Sequence, residues 1–173
     1  MLISQKPLTA VGVLLLAAAF SIQAQPTSTQ SRRSVARAYI GSKGTVHVVL
    51  SNGKDVEIPK QKDEVNSSSL AVAEDGQSAG WVVNFKNCCT SYPIPLMLII
   101  YRPDRLILKL GGGMPVWQWK FRKGGKQVAF YTNTVHGDFA PHYELHGLPS
   151  GRLIEQRNGP RDEKSPSWMD GLE

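Results

Sequence analysis

From Tyr39 onward, short apolar runs alternate with turn residues. Residues 46–50 are rich in β-branched side chains, and Asn52-Gly53 after them is a hairpin signal, because both positions accept a positive φ. Residues 55–58 alternate polar and apolar, and residues 61–69 read as a polar connector. Apolar strands follow from Leu70 and over 79–85, 96–101 and 106–110, turned at Asp75-Gly76 and Pro103-Asp104, with a loop bearing Cys88-Cys89 and Pro93 between the second and third. Gly111-Gly112-Gly113 leads into strands over 116–121, 127–132, 142–148 and 152–156, the last pair turned at Ser150-Gly151. Nothing beyond the first two dozen residues carries a sustained i, i+3, i+4 apolar stripe. The pattern predicts an all-β chain of one outer hairpin and two four-stranded antiparallel units.

The two units repeat a motif. Residues 70–83 run apolar strand, acidic-Gly turn, apolar strand with Trp81, and residues 119–131 run the same way, with Gly125 where Gly76 stood and Phe130 where Trp81 stood. A period of about 49 residues marks a modular architecture. Glycine at such turns removes the steric cost of a left-handed backbone. The aromatic five positions on is placed to fill the space between stacked sheets, where a ring removes roughly 150–250 Å² from water. Asp75, Gly76, Trp81, Gly124, Gly125 and Phe130 are therefore the structural repeat residues, and Trp81 and Phe130 are expected to be equivalent buried rings.

The runs Asp75-Gly76-Gln77…Gly80-Trp81 and Gly124-Gly125-Lys126…Ala129-Phe130 resemble the Asp-Gly-Lys turn and following strand of WD40-like and Tol-associated β-propeller blades. Residues 143–154 are similar to the outer hairpin of those blades, and small secreted bacterial proteins carry the same order of motifs. The resemblance covers residues 45–156. It implies a propeller-like scaffold and no activity of its own. Two departures stand out: Ser-Pro before the turn is replaced by Ala73-Glu74 and Arg122-Lys123, and no Trp-Asp dipeptide is present. With about two and a half blades, where propellers have four or more, the sheets are expected to form an open partial propeller or a small β-sandwich, or to be completed by a second copy in a homo-oligomer.

The first 24 residues have the layout of a cleaved secretory signal: Lys6, an apolar run over 11–20, and a small residue at Ala24. At about ten residues the run is short of the roughly 20 that span a bilayer. The expected division is a signal peptide over 1–24, a disordered polar lead-in over 25–38, a β domain over 39–157 and a polar tail over 158–173 whose one large apolar residue is Trp168. A secreted or periplasmic location follows, with no transmembrane segment after cleavage.

The formal net charge is +6. Lys120 and Arg122 alternate with Trp119 and Phe121, the pattern of the solvent face of a half-buried strand, so the basic and aromatic run does not argue for nucleic acid. Cys88 and Cys89, the only two cysteines, are open to three readings: a vicinal disulfide, free thiols, or a redox or metal-handling pair. Two thiols alone cannot complete a structural zinc site. On one strand His142, Glu144 and His146 share a face, so with His136 they are candidate metal ligands. The competing reading is a polar solvent face, since alternate strand positions are about 6.6–6.8 Å apart. No Gly-x-Ser-x-Gly occurs, residues 67–69 read as turn-forming serines, and Gly111-Gly112-Gly113 lacks the Lys-Ser/Thr of a phosphate loop. No catalytic residue and no cofactor is expected. The sequence reads as a non-enzymatic interaction module for a protein or envelope component, working through the loops 88–95 and 134–141. The rival reading is a thiol-redox or metal-handling protein.

Overall fold

Why these runs become strands is visible in which faces they bury. A computed structural model describes residues 33–137 and 139–172, except for the side chains of Arg105 and Leu106. It contains three antiparallel meanders. The first sheet is β1 (Val35–Ile40), β2 (Val46–Leu50) and β3 (Asp55–Ile58). The second is β4 (Glu64–Val72), β5 (Ala79–Phe85), β6 (Ile94–Arg102) and β7 (Arg105–Gly111). The third is β8 (Val116–Arg122), β9 (Gln127–Thr132), β10 (His142–Gly147) and β11 (Arg152–Asn158). Within each sheet neighbours in space are neighbours in sequence, and none of the three closes into a barrel. Among the described residues the only helical pieces are 3-10 turns over Lys123–Gly125 and Ser167–Met169. No described helix is long and apolar enough to cross a membrane.

The sheets pack face to face. Val46, Val48, Leu50 and Ile58 of the first sheet meet Ala79, Trp81, Val83 and Ile99 of the second. Val82, Leu98 and Ile100 on the opposite face of that second sheet meet Val116, Trp119, Val128 and Phe130 of the third. The middle sheet is thus buried on both faces, which is why 79–83 and 98–100 read as continuous apolar runs instead of alternating ones. The outer face of the first sheet is polar: Tyr39 stacks on His47 at 4.9 Å and donates from its hydroxyl to Asp55 at 2.7 Å.

The expected repeat is present. Gly76 (φ 63°) and Gly125 (φ 94°) turn the first strand of each four-stranded sheet into the second. Five positions on, Trp81 (2 % exposed) and Phe130 (fully buried) each face the preceding sheet. The turns also tie the sheets together. Val35 N–H donates to Gly76 O at 2.6 Å, and Gly125 lies against Ala73 and Asp75 of the other turn.

Four expectations on organisation need correction. The expected signal peptide over 1–24 and residues 25–32 of the expected lead-in lie outside the described residues, but residues 35–38 are not lead-in. The strand β1 begins at Val35, whose side chain joins the core. The outer hairpin is consequently a three-stranded sheet. The connector over 61–69 is mostly β4, an edge strand whose polar side chains are satisfied: Asn84 donates from Nδ2 to Asn66 Oδ1 at 2.7 Å and to Ser68 Oγ at 3.0 Å, and Ser67 donates to Glu64 Oε1 at 2.8 Å. Polar pairing between strands hid it from a search for apolar alternation. Finally, the tail is not merely polar. Met169 and Leu172 are buried against Ala129, Tyr143 and Leu145 and cover the far face of the third sheet. Arg122 fixes the tail by donating to the carbonyls of Trp168, at 2.8 Å, and Asp170.

Candidate functional site

A concavity of about 860 Å³ lies along β4 and β8, the first strands and free edges of the second and third sheets. Trp119 crosses from one to the other. It is nearly buried, and its indole N–H donates to Ser69 O at 2.9 Å. Phe121 meets Trp119 edge to face, with centroids 5.1 Å apart. These two rings, with Trp117, Leu70 and Val72, make an apolar trough. Lys120 and Lys123 are exposed on its rim, opposed by the single carboxylate of Glu74. The repeated turn Gly124-Gly125 closes one end. The alternation of Trp117, Trp119 and Phe121 with Gln118, Lys120 and Arg122 is visible in the sequence; that β4 stands opposite is not.

A second cavity, about 420 Å³, is lined by Lys109, Met114, Phe130, Thr132 and the row His142, Glu144 and His146 on β10. The strand puts the three on one face, as the spacing predicts, but the face is not a solvent face, for His146 is buried. Glu144 sits between the two imidazoles, its Oε1 3.0 Å from His142 Nε2 and its Oε2 2.6 Å from His146 Nε2. The other ring nitrogen of His146 faces Gly151 O at 2.8 Å. A carbonyl only accepts, so Nδ1 carries a proton; with a carboxylate at Nε2 as well, His146 is best satisfied as an imidazolium. Burial works against that charge, yet the Glu144 hydrogen bond, the Gly151 carbonyl and the Glu144 charge outweigh it and raise the His146 pKa. The His146 hydrogen bond in turn lowers that of Glu144, against burial, with help from His142. Each imidazole turns its Nε2 to the carboxylate between them, His142 Nδ1 faces Asn158 Oδ1 at 2.6 Å, and among the described residues no three His, Cys, Asp or Glu side chains are grouped to hold a metal. The row forms a structural ion-pair lock.

That lock predicts a stability window. Glu144, with its pKa lowered, contributes above its unfolded value, and the contribution is lost as pH falls through the folded one. His146, with its pKa raised, contributes fully below its unfolded value, and loses it as pH rises through the folded one. Glu144→Gln should therefore cost most between the ordinary carboxylate and imidazole ranges, about 1–2 kcal/mol after allowing for partial solvent screening. Urea unfolding of both proteins across pH checks this; a difference independent of pH would show that the lock does not carry charge.

The remaining candidates stay apart from both cavities. Cys88 and Cys89 are exposed free thiols, with sulfurs 2.7 Å apart, on the loop between β5 and β6. His136 is exposed on the loop between β9 and β10 and is not among the side chains that meet there or on β10. Both loops join the second and third strands of their sheets, as expected. Each carries an exposed aromatic, Tyr92 (49 %) and Phe139 (69 %). Sequence reasoning did not find the Tyr39–His47–Asp55 group. His47 and Asp55 sit on paired strands, with Nδ1 and Oδ1 3.1 Å apart, and the alternation of β2 and β3 was the available signal.

No family model and no curated protein matches the chain. A solved structure of Kuenenia stuttgartiensis hydrazine synthase is similar at a TM-score of 0.42, with 17 % identity over 67 % of this chain and 31 % of that one. This chain thus spans well under half of that protein's length, and the likeness carries no functional argument.

Proposed function

We propose that this chain is a secreted or periplasmic, non-enzymatic binding module that holds an extended, acidic segment of a protein partner in the trough between β4 and β8. The observation that carries the reading is the trough itself. It runs beside two free strand edges, its floor is aromatic, and its exposed rim is mostly cationic. Strand edges offer unpaired backbone groups to an extended chain, and alternate pockets take its side chains. Six residues of β8 extend about 20 Å, room for a short extended segment rather than a compact ligand. The charges on Lys120 and Lys123 select carboxylates, and charge complementarity of this kind acts on encounter rate and specificity.

The test is fluorescence anisotropy with a labelled peptide of alternating Glu and Val, against one of alternating Lys and Val. The acidic peptide should bind, and more weakly as salt rises. Lys120→Glu with Lys123→Glu should cost at least about tenfold, or 1.4 kcal/mol. Equal binding of both peptides, or no effect of the double variant, would remove the trough as the site.

A further inference from the structure

The vicinal cysteines belong to neither cavity, and the loop around them is organised to hold them together. Asn87 Oδ1 accepts from the Cys89 backbone N–H at 3.3 Å, Asn87 Nδ2 donates to Thr90 Oγ1 at 3.2 Å, and the Thr90 hydroxyl donates to Tyr92 O at 2.6 Å. Inside this frame the two sulfurs face each other at 2.7 Å, both open to solvent. The hydrogen bond to Cys88, then its charge, push the Cys89 thiol upward.

We propose that Cys88 and Cys89 form a reversible thiol–disulfide exchange site whose oxidant is a small or protein disulfide. The Cys88 thiolate attacks one sulfur of the incoming disulfide, breaks its S–S bond and releases the first thiol. Cys89 then gives its proton to solvent and attacks Cys88 Sγ. The new Cys88–Cys89 bond forms as the mixed disulfide breaks, and the second thiol leaves. The protein loses two electrons and two protons, and the oxidant is reduced to two thiols. The product is an eight-membered ring that forces the intervening peptide out of its relaxed geometry. Strained, exposed disulfides are the readily reduced ones, so a dithiol reverses the step. Because the ring closes almost no chain, it adds little to global stability.

The full chain, reduced and desalted, is incubated with oxidised glutathione and followed by thiol titration and intact mass. Both thiols should disappear with the loss of two hydrogens and no adduct, and reappear with dithiothreitol. Cys88→Ser and Cys89→Ser should each stop at a stable glutathione adduct. Urea unfolding of the double Cys→Ser variant should match wild type, which shows that the fold does not depend on the pair. Persistent glutathione adducts on the wild type, disulfide-linked dimers, or thiols that remain titratable would each overturn the proposal.

Discussion

Replacing Trp81 with alanine should destabilise the protein by about 3–5 kcal/mol, the range for a fully buried aromatic. Trp81 is 2 % exposed and fills the space between the first and second sheets, against Val46, Val48, Leu50 and Ile99. The first sheet is held to the second by this one apolar face, in which Trp81 is the largest side chain. Its outer face is polar, and the Val35–Gly76 hydrogen bond also links it to the second sheet. Unfolding in urea, followed by far-ultraviolet circular dichroism, measures the cost. Phe130→Ala should cost a similar amount, because that ring plays the same part between the second and third sheets and also stacks on His146 with centroids 5.5 Å apart. A cost under about 1 kcal/mol for either would mean that the site had collapsed without a cavity, and that the ring does not hold its sheets together.

Gly125→Ala should be nearly as damaging, at about 2–4 kcal/mol, for two reasons that add. The residue has φ 94°, where an L side chain is strained. An added Cβ would also stand 2.8 Å from Ala73 Cβ and 2.5 Å from Asp75 Oδ1, atoms of the neighbouring turn. Gly124→Ala separates the two causes. It has φ 61°, yet its nearest neighbour is Glu74 Oε2 at 4.0 Å, so only the left-handed backbone is penalised, at about 1 kcal/mol. Equal costs at the two glycines in thermal or urea unfolding would show that the turns do not press on one another.

The expected turns and rings were legible because both signals are local. A left-handed turn needs Gly76 or Gly125 whatever surrounds it, and an aromatic five positions on falls on a predictable strand face. The polar edge strand β4 and the buried tail residues Met169 and Leu172 were not legible. Their burial depends on what lies opposite: Asn84 across from Asn66 and Ser68, and Tyr143 and Leu145 beneath the tail. The His142–Glu144–His146 row was half legible. Period two put the three side chains on one face, but the protonation logic needed the carbonyl of Gly151, which comes from the following hairpin.

By itself, the sequence determined the strand class, the repeat and the chemistry available: period-two patterning, turn glycines, two adjacent cysteines and a basic, aromatic β8. Tertiary structure alone decided which strand edges would adjoin. The hydrogen bond from Trp119 to Ser69 joins residues 50 positions apart. No local preference encodes it, because the ordering entropy of bringing such distant edges together is offset only when whole sheet faces bury at once. The trough exists as a consequence of that stacking, and so does the use of Lys120 and Lys123 as its rim rather than as two more charges on a solvent face.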